Sequence, residues 1–198
     1  MPERARLESS PTTALDGAET LHGSTLWFAS VRAGNYREID IYTCTFEDGK
    51  FSNVKNAGAR LNREIGVGEL DFSPDGTELY FHSSAVPGRG GMDIFVSTLA
   101  NGTWQEAVPV DAVNTEVNDG YPFITQDGRE LWFTRWYNGT PGIFRSLRNG
   151  TSWGGPELVI SQFAGEPNLD TAGNIYFTHH YYENGTMIEA DIYVAYRE

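Results

Sequence analysis

The chain has 198 residues and a formal net charge of −13, with 13% aromatic residues, 22 glycines and one cysteine. That length suits one domain, or at most two small ones. The acidity argues against binding to a nucleic-acid backbone or an anionic membrane surface, and no apolar run reaches the roughly 18 residues of a spanning helix. Cys44 alone excludes an internal disulfide, and the opening stretch MPERARLESSPTTALDG carries no apolar core of a signal peptide.

Taken in chain order, the elements repeat. After Arg6–Ser10, a strand ends at Leu26-Trp27-Phe28 and another begins at Asp40-Ile41-Tyr42, followed by the turn Asp48-Gly49 and a strand from Phe51. The second unit has Pro74-Asp75-Gly76, Leu79-Tyr80-Phe81, Asp93-Ile94-Phe95, the turn Asn101-Gly102 and Trp104. The third has Asp127-Gly128, Leu131-Trp132-Phe133, Gly142-Ile143-Phe144, Asn149-Gly150, Trp153 and the apolar run Leu158-Val159-Ile160. The fourth has Ala172-Gly173, Ile175-Tyr176-Phe177 and Asp191-Ile192-Tyr193, and the sequence stops shortly afterwards at Glu198. Two independent markers, the strand ending in Phe and the strand beginning with Ile, thus return with a period of about 50 residues.

Four short strands per period, joined by Asp-Gly and Asn-Gly turns that supply positive φ angles, predict a propeller blade. One blade cannot bury both faces, so blades must stack around an axis. The expected fold is all-β: a single propeller of four-stranded antiparallel blades, with repeats near 16–60, 61–112, 113–161 and 162–198. The last unit lacks a fourth strand, so residues 1–15 are expected to supply it and close the ring, removing an exposed sheet edge. A fragment of a larger ring is the competing reading. The four Asn-Gly-Thr tripeptides, at Asn101, Asn138, Asn149 and Asn184, are read as hairpin turns rather than glycosylation sites.

The blocks Glu69-Leu70-Asp71-Phe72-Ser73-Pro74-Asp75-Gly76-Thr77-Glu78-Leu79-Tyr80-Phe81 and Gly91-Met92-Asp93-Ile94-Phe95-Val96-Ser97 resemble WD40-like propeller repeats of the TolB type. Gly165-Glu166-Pro167-Asn168-Leu169 resembles the start of the same repeat, and the resemblance covers almost everything after Leu15. The tract Val110-Asp111-Ala112-Val113-Asn114-Thr115 is most similar to the periplasmic branch of that group. The resemblance implies a periplasmic or extracellular scaffold more than an enzyme.

In such a propeller the first strand of each blade lines the channel, placing Glu19, Glu69, Tyr121 and Glu166 at its mouth. The loops between second and third strands open on the same face, with Arg89, Arg135, Trp136, Tyr137, His179 and Tyr182 as the expected binding residues. Aromatic rings interleaved with Arg and carboxylates suit stacking and bidentate hydrogen bonds to a sugar or peptide. The expected function is non-catalytic binding of a protein or of a cell-wall glycan or peptide, by a monomer with no cofactor and no metal. The plainer reading of the carboxylates is a clasp between blades, for instance Glu166 with Arg135. A catalytic alternative makes Glu69 and Glu166, with His179, the machinery of a glycan-active hydrolase or lyase, which needs two carboxylates at a set spacing. No Gly-x-Ser-x-Gly elbow and no phosphate-binding loop is present.

Overall fold

A computed structural model describes residues 16–62, 67–84 and 88–197. It is a four-bladed β-propeller arrangement, with four antiparallel sheets set around one axis. Blade 1 holds β1 (Asp16–His22), β2 (Thr25–Ser30), β3 (Asp40–Glu47) and β4 (Lys50–Asn56) in that order, and a single helical turn, α1 (Ala59–Asn62), follows it. Blade 2 holds β5 (Val67–Phe72), β6 (Glu78–Ser83) and β7 (Asp93–Ala100), with β8 (Thr103–Trp104) and β9 (Val108–Pro109) sharing the outer place. Blade 3 repeats this with β10 (Asp119–Ile124), β11 (Glu130–Tyr137), β12 (Thr140–Asn149), β13 (Ser152–Trp153) and β14 (Glu157–Ile160). Blade 4 has three described strands, β15 (Ala164–Leu169), β16 (Ile175–Glu183) and β17 (Thr186–Ala195). The expected closing strand falls in residues 1–15, outside the described residues.

The repeated motifs fill the spaces between blades. Ile41 packs with Leu61, Val67, Leu70, Leu79 and Phe81 between blades 1 and 2. Tyr80 and Ile94 meet Val113, Leu131 and Phe133 between blades 2 and 3, and Trp132 and Ile143 meet Ala164 between blades 3 and 4. Along each strand side chains alternate between faces, so Trp27, Tyr80 and Trp132 of the second strands in blades 1 to 3 look to the following blade. Burying each of these large side chains is worth about 1.5–3 kcal/mol.

Polar groups complete the same junctions. The Ile41 peptide is held on both sides by Asn62, which accepts from its N–H at 2.8 Å and donates to its carbonyl at 2.9 Å. Asn114 does the same for Ile94, at 2.8 Å each way. Arg148 reaches from blade 3 to Glu78 of blade 2, at 2.7 and 2.8 Å to its two carboxylate oxygens. The turn residues behave as their chemistry requires: Asn101, Asn138 and Asn184 adopt φ near +50° (52°, 49° and 51°), each followed by a positive-φ glycine. Asn138-Gly139 and Asn184-Gly185 therefore close tight hairpins, so what reads as loops over 135–142 and 179–190 is extended β-ribbon in blades 3 and 4.

Candidate functional site: the central cavity

The innermost strands β1, β5, β10 and β15 surround a central cavity of about 230 Å³. Each carries a register slip at the cavity wall, between Gly17 and Thr20, Val67 and Leu70, Gly120 and Phe123, and Gly165 and Asn168. A bulge of this kind inserts an extra residue and re-aims the side chains around it. At Ala18, Tyr121 and Glu166 the backbone takes φ of 54°, 55° and 56°, an uncommon conformation for non-glycine residues. Two of the glycines beside the bulges are closely packed: a Cβ at Gly68 would lie 1.8 Å from His82 Nε2, and one at Gly120 2.6 Å from the Met92 methyl.

All four residues expected at the channel mouth, Glu19, Glu69, Tyr121 and Glu166, line this cavity. Thr20, Asp71 and Asn168 line it too. Among the described residues neither Glu19 nor Glu69 makes an ion pair. Burial pushes the Glu69 carboxyl above its ordinary range, and the neighbouring charges of Glu166 and Glu19 push it further. Glu166 accepts a hydrogen bond from the Thr178 hydroxyl at 2.7 Å, and His180 Nε2 stands 3.7 Å from its other oxygen. Burial raises the Tyr121 phenol as well, reinforced by Glu166, Glu69 and Tyr182.

Asp71 sits deeper. Its carboxylate accepts from the Phe72 N–H at 2.8 Å and, across the junction, from the Ile124 N–H at 2.9 Å. Burial outweighs these bonds and that from Thr20, raising its pKa to about 6. His82 has the opposite fate: it accepts the Tyr121 N–H through Nδ1 at 3.1 Å, and burial lowers its pKa to about 4. Thr134 plays the matching part at the next junction, accepting the Glu166 N–H at 2.8 Å.

The second- to third-strand connections divide into packing and exposed groups. Arg135 does not reach Glu166; its Nε bonds Asp119 at 2.6 Å and it also bonds the Val113 carbonyl, while its guanidinium lies 4.7 Å from the Phe144 ring centre. Arg32 repeats this in blade 1, with Asp16 at 2.8 Å and Phe28 at 5.0 Å. Both are internal struts to an Asp at the start of the first strand of their own blade: Arg135 lies directly across from Asp119, and Arg32 lies two residues beyond Ser30, the register partner of Asp16. Tyr137 packs edge-on against Phe144 whereas Trp136 is exposed. Arg89 stays at the surface near Asp111, 3.7 Å away. His179 packs at a tilt against Tyr193, ring centres 4.9 Å apart, and the histidine beside Glu166 is His180. Tyr182 packs near Phe163 and His180, on the cavity side of blade 4. Asp71, which lines the cavity, and Thr178, which bonds Glu166, were not legible in the sequence; pairing of the strands brings them there. Among the described residues no group of three or more His, Cys, Asp or Glu side chains is placed to hold a metal ion.

No protein-family model and no curated protein matches the chain. Solved structures do. TolB from Acinetobacter baumannii superposes with a TM-score of 0.62 at 15% identity, over 90% of this chain and 40% of that one. A chain described as TolB from Agrobacterium tumefaciens gives 0.57 at 17% identity, over 87% and 56%. The endo-arabinase of Bacteroides thetaiotaomicron gives 0.58 at 14% identity, over 91% and 73%. The fold is that of a TolB-like β-propeller, and the chain spans about half of the TolB chains or less. Likeness at this identity speaks for the fold and is shared by a hydrolase, so activity has to be argued from the cavity itself.

Proposed function

We propose that the chain is a non-catalytic propeller scaffold of the periplasm or extracellular space that binds a protein, or a cell-wall glycan or peptide, at the cavity mouth. The observation that carries this reading is the set of cavity carboxylates: among the described residues Glu19 and Glu69 make no ion pair, and Glu166 has the Thr178 hydroxyl and the His180 imidazole beside it. Carboxylates so placed accept hydrogen bonds, and a ligand amine, guanidinium or array of hydroxyls supplies them. Exposed Trp136 and Tyr181, with the cavity-side Tyr182, offer aromatic faces near the rim. The struts Arg135 and Arg32, each paired with an Asp of its own blade, leave the binding role to the carboxylates and aromatics.

The test is a thermal-shift series with muropeptides, neutral oligosaccharides and lysine-rich peptides. A ligand that binds only the native fold raises the melting temperature with concentration. The expected outcome is a shift with one class that disappears in the Glu69→Gln, Glu166→Gln double variant, with the variant's own melting temperature retained. A shift that survives the double variant places the ligand elsewhere and overturns the reading.

A catalytic second reading is favoured by one observation, the carboxyl of Glu69 raised by burial with Glu166 nearby, since glycoside hydrolysis uses two carboxyl groups, the acid of the pair with a raised pKa. Product release from an oligosaccharide by the parent chain, abolished by Glu69→Gln, would favour it over the scaffold.

A further inference from the structure

In blades 2 and 3 the aromatic residue of the second strand is capped by a carboxylate and an arginine. Glu78 accepts from the Tyr80 hydroxyl at 3.1 Å, and Arg148, bonded to Glu78, lies 4.8 Å from the Trp153 ring centre. Glu130 accepts from the Trp132 indole N–H at 2.7 Å, and Arg145, 3.4 Å from Glu130, lies 5.6 Å from the Trp132 ring centre. Blade 1 departs from this pattern. Trp27 stands in the place of Tyr80 and Trp132, but the residue two before it is Thr25. Trp104 stands in the place of Trp153, and Leu99, its register partner, in that of Arg148. Trp27 and Trp104 meet edge to face at 5.8 Å, and among the described residues neither indole N–H makes a hydrogen bond.

Where the cap is missing, a groove of about 590 Å³ opens between blades 1 and 2, within the size range of small-molecule sites. Its wall on blade 1 is one cross-strand row, Trp27 beside Thr43 and Thr43 beside Lys55, so the three side chains share a face. Each is a donor without an acceptor: the Thr43 hydroxyl is buried and unpaired, and among the described residues Lys55 makes no ion pair. A buried hydroxyl left without a partner is costly. The central cavity is walled by carboxylates, whereas no Asp or Glu among the described residues lines this groove. What the groove lacks is the acceptor that Glu78 and Glu130 supply in the other blades. Thr25, Thr45 and Asn53 also line it, and among the described residues their side chains make no hydrogen bond. Hydroxyl and amide groups beside indole rings fit the hydroxyls and the C–H face of a sugar ring.

We propose that this groove binds an acidic saccharide, whose carboxylate takes the place of the missing glutamate between the Trp27 N–H and the Lys55 ammonium. The site is separate from the cavity mouth and does not rest on the function proposed there. Isothermal titration calorimetry of the full chain with trigalacturonate tests it, with neutral galactotriose and N-acetyl-trialanine as comparisons. Trigalacturonate should bind at least tenfold more tightly than either. Thr25→Glu supplies the missing carboxylate from within, and Lys55→Gln removes the cation; each should weaken binding at least tenfold. Lys55 is exposed, so its variant keeps the test decisive if Thr25→Glu does not fold. The Glu69→Gln, Glu166→Gln double variant should bind trigalacturonate as the parent does. No binding by the parent, equal binding of the neutral sugar, or tighter binding of the peptide overturns the proposal. So does binding kept in either folded groove variant. Binding lost in the double variant also overturns it, since the acid then sits at the cavity mouth.

Discussion

Blades 1 to 3 and blade 4 carry the same motifs and live in different environments. Asp40 and Asp93 are buried, each accepting two amides of the preceding loop, from Tyr36 and Arg37 and from Arg89 and Gly90. Asp191, at the same motif position, is exposed, and it raises the neighbouring Glu189 by a hydrogen bond and by charge. The isoleucines that follow these aspartates differ in the same way. A repeat therefore states what a residue is able to do, and the neighbouring blade decides whether it does so. In a stacked architecture each unit is stabilised chiefly through its interfaces, and among the described residues the third strand of blade 4 lacks the cover that its counterparts in blades 1 to 3 have.

The largest expected contrast comes from paired truncations at the shared position. Ile143→Ala should cost about 2–5 kcal/mol, because it opens a cavity in a packed junction. Ile192→Ala should cost less than about 1 kcal/mol, as no described blade lies against it. Urea denaturation of the two variants measures the difference, and equal losses would mean that blade 4 is as tightly enclosed as blade 3.

The packed half should also show itself in pH dependence, with two opposing contributions. Burial holds His82 neutral, with a pKa of about 4 against an ordinary 6.5. As pH falls through that window the unfolded chain takes up a proton that the fold refuses, and stability drops. Asp71, raised from 3.8 to about 6, acts oppositely: as pH rises the unfolded chain releases a proton that the fold retains, and stability again drops. Each term is worth about 2–3 kcal/mol at 1.36 kcal/mol per pKa unit. In the parent they largely cancel between about pH 4 and 6. His82→Gln should then lose stability with rising pH, and Asp71→Asn should gain it, in denaturation curves at pH 4, 5 and 6. A flat profile in both variants would show that neither group is perturbed by the packing.

A smaller effect is expected at the clasps. Asn114→Ala leaves the buried Ile94 N–H and carbonyl without their side-chain partner, which should cost about 1–3 kcal/mol. Blade 4 has no described counterpart of this clasp, so Asn184→Ala, at an exposed turn, should change stability by only a few tenths of a kcal/mol through its backbone conformation. The smallest stability effect should come from Glu69→Gln, which removes a carboxylate repelled by Glu166 and Glu19 and leaves the melting temperature unchanged or slightly raised. A clear loss of stability in that variant would assign Glu69 to holding the blades together rather than to binding.

The blade count, the strand order and most turns were legible from residues close in sequence, because alternation and positive-φ turn chemistry are local properties. Asn101 and Asn138 turn where Asn-Gly requires it, and Leu79, Phe81 and Ile94 are buried as their periodic placement implies. The four mouth residues could be named because each belongs to the first strand of its repeat, the strand that lines a propeller's channel. Partnerships across blades could not be. Arg135 meets Asp119, its register partner in the same blade, rather than Glu166 of the next. His180 rather than His179 stands beside the cavity carboxylate, because adjacent residues of a strand face opposite sides and pairing decides which side looks inward. Nor could composition reveal that Asp71 and His82 would be pushed in opposite directions; desolvation depends on what surrounds a group in space. The sequence by itself determined the repeating unit and its turns, which arise from short-range sterics and hydrogen bonding. Only the tertiary structure decided which copies of that unit are enclosed, since burial is conferred by a neighbour that the unit does not itself contain.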